Sequence, residues 1–267
     1  MAGNLVGGFV IRGLLVGIVA ALLAFGFAKV FGEPAVGVAI QFEAEHDEAE
    51  RAQQIKNGIT PPAEEPDMFS RSLQGGFGLL TGIVGLGAGI GAIFGVMFAF
   101  ANGRLAGPGL GKLGPPATST LLAFYGIWSV YIIPALKYPP NPPAVGDPDT
   151  IKLRTGVYFL IIALSIASTV GALMLRSRLI PKFGAWNGAV LSLLTYIVVI
   201  AIIYLILPTI NEVPEDFPAT TLWQFRIASL GIQCVLWWGV GLMFGWLVER
   251  PLGFSAWLQS PTPRLVR

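Results

Sequence analysis

The stretch Glu43-Ala44-Glu45-His46-Asp47-Glu48-Ala49-Glu50 gathers five carboxylates around the only histidine of the chain. Without proline it can be helical. Glu43 then lies beside His46 and Asp47, and His46 beside Glu50, because residues three and four apart share a helix face. One imidazole among carboxylates is a mixed nitrogen and oxygen set, suited to divalent first-row metals rather than to thiolate-seeking ones. The plainer reading of the same run is a solvated acidic face. Past Glu50 the chain becomes Ile59-Thr60-Pro61-Pro62-Ala63-Glu64-Glu65-Pro66, whose prolines predict an extended tether.

Two later segments set polar groups among prolines. Residues 136–150 read LKYPPNPPAVGDPDT, with Lys137, Tyr138, Asn141, Asp147 and Asp149, followed by Arg154. Asp149 or Thr150 is expected to cap the helix that follows by accepting its free backbone N–H groups. Asp147 is harder to explain as a cap. Residues 211–218 read NEVPEDFP, which restrains Glu212 and Asp216 in the same way, with Arg226 beyond them. Other chemistry is disfavoured. No nucleophile stands with a base, so an enzyme is not expected. Gly85-Leu86-Gly87-Ala88-Gly89 follows no strand, and Gly111-Lys112 is followed by Leu113 rather than Ser or Thr, so neither is a phosphate cradle. A single cysteine, Cys234, allows no internal disulfide.

The elements that must hold these residues are set by lipid. Hydrophobic residues make up 54% of the 267, charged residues 12%, and mean hydropathy is +0.70, which places the chain in a membrane. A span needs about 20 mostly apolar residues. Six stretches qualify, at roughly 11–31, 75–101, 117–136, 155–175, 186–207 and 227–248. The expected architecture is an all-α bundle of six transmembrane helices, forming one integral membrane domain over residues 1–267 with an acidic loop at about 33–70. The first apolar run outlasts the 7–15 residues of a secretory signal, so it is expected to stay as a span.

Fourteen of the fifteen carboxylates, all but Glu249, then fall in three loops on one face. Nine of the seventeen basic residues, including Arg12, Arg104, Lys112, Arg176, Arg178, Lys182, Arg250, Arg264 and Arg267, fall on the other. Under the positive-inside rule both termini are cytoplasmic and the acidic loops outside. Within the spans, Gly78, Gly82, Gly87, Gly91 and Gly95 predict a close-packed helix seam. Trp128, Tyr131, Tyr138, Tyr204, Trp223, Trp237, Trp238 and Trp246 lie mostly near span ends, as interfacial belts do. Asn187, Gln233 and Cys234 are polar or polarizable, but almost no ionisable residue sits at mid-depth, which weakens the case for a self-sufficient ion pump.

Three separated motifs carry a family resemblance. Residues 22–34 (LLAFGFAKVFGEP), residues 136–154 with their Asn-Pro-Pro and Gly-Asp-Pro, and residues 213–218 (VPEDFP) leading to Arg226-Ile227-Ala228-Ser229-Leu230-Gly231 resemble CbtA, the predicted cobalt transporter subunit of bacteria and archaea. The resemblance implies a multi-pass protein of the prokaryotic cytoplasmic membrane, cobalt(II) as cargo rather than as a resident cofactor, and no nucleic-acid partner. It also implies a small single-span partner with a histidine-rich metal-binding segment, CbtB, and a chain usually described with five spans. On this reading the acidic loops gather the dication, His46, Glu33, Asp147, Glu212 and Asp216 supply metal ligands, and Lys137, Tyr138, Asn141, Asp149, Arg154 and Arg226 shape the mouth. The alternative is a membrane scaffold that binds a partner and transports nothing.

Overall fold

The computed structural model describes residues 2–61, 69–102, 113–143 and 145–250, which form helices joined by short irregular segments, with no β-strand among them. The later part of the tether, Arg104 and Lys112, and Arg264 and Arg267 lie outside the described residues.

The first helix does not stop at the membrane. α1 (Ala2–Phe27) passes through a π-turn at Ala28–Gly32 into α2 (Glu33–Lys56). Pro34 falls in the first turn of α2, where a missing N–H is tolerated. No further proline occurs before Pro61, so the axis carries on through the acidic stretch. The 24 residues of α2 span about 36 Å at 1.5 Å per residue.

α3 (Arg71–Ala101) and α4 (Pro115–Lys137) follow, each containing one π-turn, Gln74–Gly78 and Trp128–Ile132. Five described helical stretches are long and apolar enough to cross a membrane. The fourth, Ile151–Ile206, is two helices. Gly184 breaks it with φ 82° and ψ 167°, a conformation that glycine adopts without steric cost. The Ser192 hydroxyl donates to the Ala172 carbonyl at 2.6 Å although twenty residues separate them, a separation of about 30 Å along a straight helix. The chain therefore doubles back, and α5 (151–183) lies beside α6 (185–206). With α7 (Ala219–Glu249) the described helices long enough to cross a membrane number six when the hairpin is divided at Gly184, and five when it is counted as one stretch.

Both ends of the described chain meet at one end of the bundle. The Phe9 ring lies 5.3 Å from Phe98 and 6.3 Å from Phe244, near the last turns of α3 and α7. The core joins α1, α3, α4 and α7 through Val16, Ala20, Phe94, Phe98, Ala123, Leu236, Val240 and Phe244. The α5–α6 hairpin packs outside this core against α4, where Ile133 meets Tyr196 and Ile200. Phe159, Leu194 and Leu205 are among the exposed apolar side chains of the hairpin, a surface suited to lipid.

The glycine seam is narrower than its spacing suggests. A Cβ on Gly91 would stand 2.9 Å from Gly17 Cα and inside the contact radius of the Gly13 carbonyl oxygen, and Gly87 and Gly95 are equally tight against α1. Gly82 faces open space and Gly78 meets only the Leu73 carbonyl of its own helix. The seam thus joins Gly13 and Gly17 to Gly87, Gly91 and Gly95. Trp237 departs from the expected aromatic belt: it is 8% exposed, in the core, filling the space beside Gly126. Its position at the centre of α7, rather than near an end, accounts for this.

Candidate functional site

The end opposite the termini is built from α2 and the two proline-rich loops. α2 leans on both loops, because Ala39 and Phe42 pack with Val145 of the second loop and with Val213 and Phe217 of the third. The Phe42 ring lies 5.0 Å from Phe217 and 4.6 Å from His46. This small apolar contact brings His46 to Asp216, with Nε2 3.2 Å from Oδ2. Both side chains stay more than half exposed, at 56% and 61%. Glu43, Glu45, Asp47, Glu48 and Glu50 are exposed along the same helix, where Gln41 donates to Glu45 at 2.9 Å and Gln54 to Glu50 at 3.4 Å.

Asp147 and Glu212 form a second centre that ties the loops together. Asp147 Oδ1 accepts the Asp149 N–H at 2.9 Å, and its carbonyl accepts the Thr150 N–H at 3.2 Å, with the Thr150 hydroxyl oxygen 2.9 Å away. Asp147, not Asp149, is therefore the capping residue. It precedes the turn Pro148–Thr150, and proline one step past a cap is the arrangement that helix starts favour. No side-chain cap is formed at the start of α5 itself. Glu212 reaches across from the third loop and accepts the Asp147 N–H at 2.8 Å and the Thr150 hydroxyl at 2.6 Å. Arg154 Nε stands 3.3 Å from Glu212 Oε2, and its NH2 group donates to the Asp147 carbonyl at 3.0 Å. The Thr150 hydroxyl above all, then the Asp147 amide and Arg154, hold the Glu212 carboxyl below the usual carboxylate range. Gly146, at φ 131°, lies against the Arg154 guanidinium, so a side chain there would be strained and obstructed.

The remaining loop residues act as pins. Lys137 Nζ donates to the Tyr204 carbonyl at 2.9 Å, and the Tyr138 hydroxyl to the Pro208 carbonyl at 2.7 Å. Arg226 donates through NH2 to Asn141 Oδ1 at 2.9 Å and through Nε to the Pro140 carbonyl at 3.4 Å. These bonds fasten the second loop to α7 and to the end of α6. A cavity of about 460 Å³ remains between them, lined in part by Tyr138, Asn141, Arg154, Tyr158, Asn211 and Arg226.

Glu33 lies apart from both centres. Its Oε2 is 2.9 Å from Arg71 NH2 and 3.8 Å from Lys29 Nζ, and Lys29 also donates to the Gly75 carbonyl at 2.8 Å. This clamp joins the two π-turns of α1 and α3. Lys29 and Arg71 were not singled out by sequence; only the four-residue spacing of Lys29 and Glu33 hinted at a pair.

The expected metal ligands thus occupy three places: His46 with Asp216, Asp147 with Glu212, and Glu33 in the basic clamp. Among the described residues no three of His, Cys, Asp and Glu gather where a metal ion could be held. What the face offers a cation is a concentration of exposed carboxylate, not a finished coordination shell. No curated protein and no solved structure matches the chain. The family model described as "Probable cobalt transporter subunit (CbtA)" matches residues 6–249, and the chain belongs to that family.

Proposed function

We propose that this CbtA-family chain is the membrane subunit of a cobalt(II) uptake system in which the acidic end faces outward, gathers the dication and hands it to a partner subunit. The observation that carries the reading is a partition of charge. The exposed carboxylates of α2 and of Asp147, Asp149, Glu215 and Asp216 stand at one end, while the buried polar residues of the described bundle are Thr and Ser, with no charged side chain among them. A focused field of one sign raises the local concentration and encounter rate of a counter-ion by about 10–10³. Gathering needs no more than that; translocation needs a lined path.

The partner best suited to supply the path is a small single-span protein of the CbtB kind, bearing histidines, in the prokaryotic cytoplasmic membrane. His46 and Asp216 would be the first imidazole and carboxylate to meet the ion, and Asn141 and Asp147 would stand nearest the mouth. A scaffold that transports nothing is favoured by one observation, the aromatic packing of Phe9, Phe94, Phe98 and Phe244 at the far end of the core. Radioactive cobalt uptake by cells making this chain, the partner, or both separates the two. Uptake only with both supports the proposal; undiminished uptake with the partner alone assigns this chain to the scaffold.

A further inference from the structure

The cavity between the proline-rich loops has the wrong charge for a cation. Two of its lining side chains are the guanidinium groups of Arg154 and Arg226, and among the described residues no carboxylate lines it. Arg154 is balanced by Glu212 just outside the lining. Arg226 is not balanced: its partners are the Pro140 carbonyl and the Asn141 amide oxygen, and it makes no ion pair among the described residues. It is half-buried, so solvent compensates it only in part, and dipoles alone satisfy a charge less well than an opposite charge does.

We infer that this cavity binds an oxyanion, phosphate or carboxylate, held in the fork of Arg226 with Arg154 adding a second positive wall. A guanidinium presents five donors in a planar fork that matches two oxygens of either group. Arg226 uses one donor on NH2 and one on Nε, which leaves its second terminal nitrogen to the ligand. Asn141 fixes the fork in place through its 2.9 Å bond. The volume, about 460 Å³, lies within the usual range for small-ligand sites, about 300–1,000 Å³. Its walls are two-faced: Arg226, Asn141, Asn211 and Tyr138 on the loop side, and the exposed apolar Ile151 and Phe159 on α5. The bound group is accordingly either the head of an anionic lipid, with chains along Ile151 and Phe159, or a soluble oxyanion. The inference rests on the cavity and its two guanidinium groups and does not depend on any role of the neighbouring carboxylates in gathering a cation.

Two titrations of the full chain, purified in a neutral detergent, test the inference. In one, citrate and inorganic phosphate are titrated calorimetrically. In the other, phosphatidylglycerol and phosphatidylcholine are compared by native mass spectrometry. Saturable binding at one site is expected in at least one arm, with phosphatidylcholine unable to replace phosphatidylglycerol; the arm that binds identifies the source. R226Q should weaken binding about tenfold or more, as loss of one charge-assisted pair implies. N141D provides a second variant with the loop bond retained, because its carboxylate would neutralise Arg226 internally and remove the anion's place. Lys152→Gln, which removes a positive charge of α5 outside the cavity lining, should leave the affinity within about twofold. Failure of citrate, phosphate and phosphatidylglycerol alike to bind, or wild-type affinity in N141D, would overturn the inference whether or not R226Q folds.

Discussion

Replacing Gly91 by alanine should weaken the bundle more than replacing Gly89, two residues away on the same helix. A Cβ on Gly91 would stand 2.9 Å from Gly17 Cα and closer still to the Gly13 carbonyl, whereas one on Gly89 meets nothing within 4 Å. Carbon atoms rest at about 3.5–4.0 Å, so the Gly17 contact alone requires α1 and α3 to part by roughly 0.6–1.1 Å to admit the methyl group, and the closer Gly13 carbonyl requires more. A gap of that size forfeits about a quarter to a half of each dispersion contact across the seam, and overpacking of this kind costs about 1–3 kcal/mol. The gain in helix propensity from Gly to Ala is shared by both variants and cancels in the comparison. The difference between them should then be about 1–3 kcal/mol, which corresponds to about 2–12 °C in melting temperature for a domain of this size. Scanning fluorimetry of both proteins in the same detergent measures it. Gly13→Ala should behave like Gly91→Ala, and the double variant should cost less than the two added, because one methyl has already parted the helices. A Gly91→Ala protein that melts at or above the Gly89→Ala protein would refute the reasoning.

Asp147→Asn should keep the turn at Pro148–Thr150, because an amide oxygen caps as a carboxylate oxygen does, yet lower cobalt uptake more than Glu64→Gln at matched protein levels; equal defects would favour a diffuse field. His46→Ala should weaken cobalt, nickel and zinc binding by the full chain without changing their order, since imidazole with carboxylate follows the usual ranking of cobalt below nickel; calorimetric titration decides it. The Glu212 carboxyl is held below its ordinary value of 4.5, so its bonds contribute stability above that pH and lose it as pH falls through the lower folded value. Exchange protection of the Asp147 amide should therefore fall with acid in the wild type and be insensitive to pH in Glu212→Gln. Both termini are expected on the cytoplasmic side: in a Cys234→Ala background, an impermeant thiol reagent should label a cysteine placed near Glu48 and not one near Arg178.

Hydropathy made the spans legible because a 30 Å hydrocarbon layer leaves few alternatives, and the same constraint brought the three acidic loops to one end. The length of α2 was legible as well, in the absence of proline between Pro34 and Pro61. The capping role of Asp147 was written in the dipeptide Asp147-Pro148, a cap followed by a helix-starting proline, but Asp149 stood nearer the span and drew the assignment. Partnerships across the chain were a different matter. Arg71 finds Glu33 only because α1 and α3 pack through bare glycine backbone, and Arg154 finds Glu212 only because Gly146 leaves room for its guanidinium. Neither pair has a spacing that sequence could reveal.

Those hidden pairs change what the acidic face means. A count of fourteen carboxylates treats each as equally free to meet a cation. Glu33 and Glu212, the two that lie deepest among the described residues, are already held by Arg71, Lys29 and Arg154, with side-chain exposures of 19% and 18%. The exposed carboxylates lie farther out, on α2 and at Asp216 beside His46, while the cavity nearest the bundle is lined by arginine. A dication drawn to this end therefore meets attraction at the rim and repulsion in the cavity between the loops, so its route inward should pass beside α2 rather than through the pocket. Removing the charge of Arg226 would lower that repulsion. A partner subunit carrying the ion's next ligands would have its most favourable place against the acidic flank of α2, where Glu43, Glu45, Asp47, Glu48 and Glu50 stand exposed.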